Sequence, residues 1–266
     1  MASYTHGHSP SVVRAHAVRT AASSAAYLLP RLRPGMAVLD VGCGPGSVTL
    51  DLAEVVGPDG SVVGVDVAAD VVSRARDAAV VRGDARTRFE TADAYDLPFE
   101  AGTFDVVHAH QVLQHLDRPV AALREMARVC RPGGTVAVRD VDYGATTWSP
   151  ESEALSAWLR LYTTLARANG GEPGAGARLL GWARDAGLVD LVESASAWTY
   201  ARPEERTWLA ESWAARVAES LGPQALGHGW TQSDLDRVAA GWRAWAAEPD
   251  GWFSYLHTEV LATVAG

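Results

Sequence analysis

Lysine is absent from this chain: all 23 basic residues are arginine. That removes Schiff-base chemistry on a lysine amine, the lysine of a phosphate-binding loop and the Tyr-x-x-x-Lys pair of one dehydrogenase class. Cysteine is scarce as well. Cys43 and Cys130 stand far apart in sequence, so neither a disulfide framework nor a zinc cluster is indicated, and small apolar packing is expected of both. Positive charge is in deficit, 23 basic against 32 acidic residues, which disfavours a sequence-independent grip on nucleic-acid phosphates. No run approaches the ~18 consecutive apolar residues of a membrane span. The opening "MASYTHGHSPSVVRAH" lacks a basic start, an apolar core and a small-residue cleavage site, so the expectation is a soluble, cytoplasmic protein without membrane insertion. Oligomeric state is left open by the sequence.

What is present changes period repeatedly. Ser9-Pro10 signals a helix start, and the Ala-rich stretch from Ser11 to Leu29, stopping before Pro30, predicts an N-terminal helix. Short β-branched runs at Ala37 to Val41, Ser61 to Asp66, Arg88 to Thr91, Val106 to Ala109 and Thr135 to Asp140 then alternate with helical segments. Pro119 opens one of these, in which Val120, Leu123, Met126 and Cys130 recur at helical spacing before Pro132-Gly133-Gly134. Strand and helix in alternation predict an α/β fold, a parallel sheet covered on both faces. After about residue 147 the character shifts, since all ten tryptophans lie between Trp148 and Trp252. Glu151 to Ala168 and Ala175 to Ala186 read as helices and Val189 to Ala197 as a strand. Two amphipathic helices follow, carried by Leu209, Trp213, Val217 and Leu221 and by Leu235, Val238, Trp242 and Trp245. "GWFSYLHTEVLATV" reads as a final strand closing the sheet antiparallel. The division expected is an N-terminal helical cap over 1–35, a cofactor-binding core over 36–145, and 146–266 completing the sheet, with a helical insert at about 203–247.

The stretch "VLDVGCGPGSVTLDLA" places Gly42, Gly44 and Gly46 after a strand and at the mouth of a helix, where backbone can approach a ligand closely. Asp66 ends the next strand, 20 residues beyond Gly46, where a carboxylate can accept from both ribose hydroxyls. To this point a dinucleotide and S-adenosylmethionine fit equally. Ser47 stands where a dinucleotide reader wants a third glycine, and Asp40 puts negative charge where a pyrophosphate would be repelled and an ammonium or sulfonium attracted. Asp93 after the third strand can accept from an adenine amino group, with Leu97 and Phe99 enclosing the base.

Together with "LREMARVCRPGGTVAVRD", these segments resemble class I S-adenosylmethionine-dependent methyltransferases, most of all the small-molecule branch of the ubiquinone and menaquinone C-methyltransferases. The resemblance covers residues 36 to 142 strongly and fades beyond 150. It implies a Rossmann-like, seven-stranded, mostly parallel sheet with the last strand antiparallel. It also implies that Asp40, Gly42, Gly44 and Gly46 bind the methionine end, Asp66 and Val67 the ribose and adenine edge, and Asp93 and Ala94 the adenine amino group. His110 and Gln111 match the segment beside the methionine moiety.

A sulfonium methyl is already electrophilic, so the protein's share is alignment, water exclusion and, for a protonated acceptor, a base. His110 at the end of the fourth strand, His115 a little over a turn on and Tyr143 in "RDVDYG" are the candidate catalytic groups, and Asp140 and Asp142 are expected to reach the same cleft. No metal is expected: His108 and His110 share a strand face without a third ligand, and the "HQ" after the fourth strand supplies no acidic oxygen. Tyr4, His6 and His8 are candidates to cap the cofactor, as N-terminal segments do in this family, and Arg19 to meet the methionine carboxylate. Most tryptophans are expected in the core, while the insert carrying Trp208 and Trp213 fits a lid over an apolar or aromatic acceptor. The reading is methyl transfer to a small metabolite by direct displacement. Its rivals are an NAD(P)-dependent oxidoreductase, weakened by Ser47, Asp40 and the missing lysine, and a non-methylating member of the fold that keeps the cofactor as structure.

Overall fold

A computed structural model describes Thr5 and residues 18–266. Strands β1 (Ala37–Val41), β2 (Ser61–Asp66), β3 (Arg88–Thr91), β4 (Phe104–His110), β5 (Cys130–Ser149), β6 (Val189–Tyr200) and β7 (Trp252–Thr263) form one sheet in the order β3-β2-β1-β4-β5-β7-β6. β1 to β5 pair in parallel, and β7 alone runs antiparallel, to β5 on one side and β6 on the other. The chain winds from β1 outward to β3 and then crosses back to β4. The carboxyl ends of β1 and β4 are therefore the switch point at which such sheets open a crevice.

The helices are α1 (Ala21–Ser24), α2 (Ser47–Val56), α3 (Ala69–Arg82), α4 (Pro119–Val129), α5 (Glu153–Ala168), α6 (Leu179–Asp185), α7 (Pro203–Arg216), α8 (Gly222–Leu226) and α9 (Gln232–Ala246). Strand alternation decides which side each covers. Leu39, Val107, Val136 and Val260 pack with α4 and α6, while Val38, Val62, Val106 and Ala137 pack with α1 and α2. A second core forms where α5, α7 and α9 meet the far ends of β5 and β7, with Trp158, Trp213, Trp242, Trp245 and Phe253 at its centre. No helix among the described residues is long and apolar enough to cross a membrane.

Two segments depart from the sequence pattern. A continuous helix reaching Leu29 is not formed: Thr20 is extended (φ −125°, ψ 162°), its hydroxyl accepts the Ser23 N–H, and the short α1 starts there and stops at Ser24. The local cap competes with continued helix, a 3₁₀ turn at Leu29–Arg31 follows, and residues 11–17 lie outside the described residues. In the insert, α7 does not run straight on; Val217–Leu221 form a π turn leading to α8. Leu209, Trp213, Val217 and Leu221 are all buried. A spacing of four drifts about 40° per step around an α-helix of ~3.6 residues per turn, and the wider π turn returns the last two to the core side.

Candidate active site

β1 ends at Val41 and the chain turns through Gly42, Gly44 and Gly46, each with positive φ (70°, 55° and 82°), into α2. A Cβ at Gly42 would lie 2.3 Å from Val112 Cγ2, and one at Gly46 2.8 Å from the Phe89 ring, so at these positions the protein leaves no room. At Gly44 a Cβ would meet no atom of the described residues within 4 Å. It faces a cavity of about 390 Å³ that Asp40, Gly42, Gly44, Asp66, Asp93 and His110 all help to line. Val67, Ala94, Gln111 and Arg19 line the same cavity.

Asp40 is buried, with one oxygen 2.6 Å from the Thr49 hydroxyl and the other 2.8 Å from His108 Nδ1. Its carboxylate is thus fixed behind the glycine turn, and His108 serves it from inside the fold. Asp66 accepts the Gly44 N–H at 3.1 Å and the Ala68 N–H at 3.0 Å, tying the end of β2 to the loop. Asp93 accepts the Tyr95 N–H at 2.9 Å and is exposed at the rim. Among the described residues around the cavity, four carboxylates (Asp40, Asp66, Asp93, Asp117) face two guanidiniums (Arg19, Arg118). The balance suits a cationic ligand.

Gln111 follows β4 in the left-handed region (φ 56°), a conformation a non-glycine residue holds only against a cost of order 1 kcal/mol. Its amide is held on both sides: Oε1 accepts from Arg19 at 2.7 Å, and Nε2 lies 2.8 Å from His257 Nε2. Behind it, Arg139 and Glu259 form a buried ion pair at 3.1 Å, and Arg139 reaches His110 Nδ1 at 3.4 Å. With Nδ1 accepting, the proton of a neutral His110 resides on Nε2. Burial, reinforced by Arg19 and Arg139, holds His110 neutral by lowering its pKa well below the usual value. His115 is lowered to about 3 by burial and then by Arg19.

A second cavity, about 750 Å³, adjoins the first and shares Arg19, Gln111 and His115 with it. Its walls include Tyr143, Trp198, Trp208 and Trp213. Burial pushes the Tyr143 phenol up to about 12, so it remains a hydrogen-bond donor. Trp198 has two guanidiniums over its ring, Arg19 at 5.4 Å and Arg139 at 4.8 Å from its centroid.

Several expected positions are corrected. Leu97 is buried in the core, its N–H held by Glu125 at 2.8 Å, and Phe99 packs edge-on against Phe104; neither lines the cavity, and Val67, Val71 and Tyr95 stand there instead. Of the polar side chains in "RDVDYG" only Tyr143 reaches either cavity, beside the apolar Val141. Asp140 points into the fold and accepts the Gln114 N–H at 3.3 Å, and Asp142 caps Gly144. Strand alternation is the reason: Asp140 faces opposite to Arg139. Tyr4, His6 and His8 lie outside the described residues. No group of three or more His, Cys, Asp or Glu among the described residues is arranged to hold a metal. Sequence reasoning missed His257, Trp198 and Arg139, which no local motif marks; they converge only because β7 inserts between β5 and β6.

A methyltransferase-domain family model matches residues 32–187. An uncharacterized methyltransferase of Schizosaccharomyces pombe is 34% identical, covering 97% of this chain and 95% of its own length. A ubiquinone/menaquinone biosynthesis C-methyltransferase of Ectopseudomonas mendocina is 40% identical over 41% of this chain and 43% of its own. Among solved structures, a Haemonchus contortus phosphoethanolamine N-methyltransferase, crystallised with S-adenosylhomocysteine, superposes with a TM-score of 0.59 at 20% identity, covering 91% of this chain and 52% of that one. That likeness is one of fold.

Proposed function

Because this chain belongs to the methyltransferase-domain family and is an S-adenosylmethionine-dependent methyltransferase, we propose that its acceptor is a small, apolar or aromatic metabolite held in the tryptophan-walled cavity and methylated by direct displacement. The observation that carries this reading is the junction of the two cavities at Arg19, Gln111 and His115. A ligand in each would meet there, and reactants held in line account for much of such a reaction's acceleration.

The first cavity fits the cofactor on this structure's own terms: Gly44 opens to the ligand and carboxylates outnumber guanidiniums around it. When bound, S-adenosylmethionine supplies an electrophilic methyl group. In this reading Asp66 accepts from the ribose hydroxyls, Asp93 from the adenine amino group, and Arg19 meets the methionine carboxylate. Arg19 and His257 clamp Gln111, which gives the junction a fixed wall. His110 presents an N–H rather than a lone pair, and Tyr143 a phenol that stays protonated. His115 is the candidate to take a proton from a hydroxyl or amine acceptor, and because burial lowers its pKa to about 3 it is a weak base that acts only as the acceptor's proton is released in the transfer step.

Calorimetry with S-adenosylmethionine and S-adenosylhomocysteine, followed by release of S-adenosylhomocysteine with an extract of candidate acceptors, tests the reading. Turnover on an aromatic acceptor sustains it, and for a proton-bearing acceptor His115→Ala should lower kcat by about 10²-fold or more. Binding with no turnover on any acceptor would favour the non-methylating alternative.

A further inference from the structure

The two cavities differ in charge. Among the described residues, carboxylates are in excess around the cofactor-side cavity, whereas the acceptor-side cavity is lined by Arg19, Arg202 and Arg216 against Glu205. In a chain of net charge −9 this is a local reversal of sign. Arg202 is exposed and spent on Glu204 and Glu205, and Arg19 is engaged by Gln111. Arg216 is different.

Arg216 ends α7, is 8% exposed and lines the acceptor-side cavity without lining the other. Its guanidinium carbon lies 4.8 Å from the Trp213 ring centroid. Among the described residues no carboxylate pairs with it, no side-chain hydrogen bond is made by it, and its Nε is a buried donor without a partner. Arg206, on the same helix and also buried, gives its Nη1 to the Gly251 carbonyl at 2.5 Å and does not line this cavity. A buried guanidinium wants an anion, because its hydration is lost and a ring face compensates only part of that loss. Its planar fork matches a carboxylate in two parallel hydrogen bonds. Tyr143, Tyr200 and Tyr255, whose hydroxyls stay protonated because burial raises all three, lie within its electrostatic reach and add neutral donors.

We propose that the acceptor is an aromatic or apolar acid, and that Arg216 is the receptor for its carboxylate. The inference rests on the acceptor reading of this cavity. Since Arg216 is not at the junction, the anion anchors the end remote from the methyl-accepting atom, leaving that atom to face Gln111 and His115. Specificity then follows from charge at one end and stacking on Trp208 and Trp213 along the frame.

The test uses the full chain saturated with S-adenosylhomocysteine and aromatic acids of one, two and three rings, benzoate, 2-naphthoate and 2-anthroate, each paired with its primary amide. Affinities are measured by titration calorimetry in the wild type, Arg216→Gln and Arg216→Lys. The expected result is at least a tenfold preference for acid over amide, abolished in Arg216→Gln and partly kept in Arg216→Lys, with S-adenosylhomocysteine affinity unchanged. Equal binding of acids and amides by the wild type, or a preference that survives Arg216→Gln, overturns the carboxylate assignment and leaves the acceptor cavity standing. If neither series binds the S-adenosylhomocysteine complex, the acceptor reading falls and this inference with it. Should Arg216→Gln not fold, the wild-type comparison and Arg216→Lys still decide.

Discussion

Gly42 and Gly44, with only Cys43 between them, carry opposite constraints. Alanine at Gly42 would strike Val112, so Gly42→Ala should lower the melting temperature as well as cofactor affinity. Alanine at Gly44 meets no atom of the described residues within 4 Å, so beyond the cost of about 1 kcal/mol for a side chain at positive φ, Gly44→Ala should act on the ligand: S-adenosylhomocysteine should bind at least tenfold more weakly. Calorimetry beside thermal melts separates the two, and equal losses of stability would contradict the assignment. Asp140 offers a second residue-scale test. Burial raises its carboxyl to about 8, so between about pH 4 and 8 the folded protein keeps a proton that the unfolded chain has released. Stability from this group is fully present below that window and is lost as pH rises through it. Asp140→Asn removes the dependence, and its melting temperature should gain on the wild type steadily from pH 5 to pH 8. A difference that stays constant over that range would show that Asp140 is ionised in the fold.

At the scale of elements, the insert helices owe their positions to caps and aromatic packing more than to helix propensity. α9 begins with a reciprocal capping box, the Thr231 hydroxyl accepting the Asp234 N–H at 3.2 Å while the Asp234 carboxylate accepts the Thr231 N–H at 2.9 Å. Thr231→Ala should cost about 1 kcal/mol, a fall of about 2–4 °C in melting temperature for a chain of this size, while Thr231→Ser should be close to neutral. The helix it starts buries Trp242 and Trp245 against Trp158 and Phe253, and α7 is pinned to β7 by the Trp213 Nε1 hydrogen bond to the Tyr255 hydroxyl at 2.6 Å. The wall of the second cavity is therefore continuous with the second core. A change at Trp213 should disturb stability and acceptor binding together, whereas Trp208, 39% exposed and stacked on Tyr200, can be varied with less cost.

For the whole molecule, burial and then neighbouring guanidiniums keep His110, His115 and His257 neutral, the latter two at about 3 and about 2. The unfolded chain protonates these rings near pH 6.5, so their contribution is present above that pH and lost as pH falls. Asp140 works in the opposite direction over part of the same range. Near pH 5 three rings outweigh one carboxyl, a net of about two protons, and stability should fall by on the order of 3 kcal/mol per pH unit. Denaturant titrations at pH 7, 6 and 5 read this directly; a flat profile would mean that the rings are charged in the fold. The order of strands and helices, the glycine turn, Asp66 at the end of β2 and Asp93 after β3 were legible from the sequence, because each depends on local conformation and on spacing along one βα unit. The same local rules failed at Leu97 and Asp140, whose side-chain directions depend on which layer each strand faces, and at Thr20, where a cap interrupted a helical pattern. Sequence by itself thus determined the sheet of alternating strands and helices and the glycine turn after β1, since backbone sterics and hydrophobic period act over a few residues. Tertiary structure alone decided the second cavity. Arg19, Gln111, Trp198, Arg216 and His257 come from distant segments and meet only when β7 inserts between β5 and β6 and the tryptophan helices close over its end.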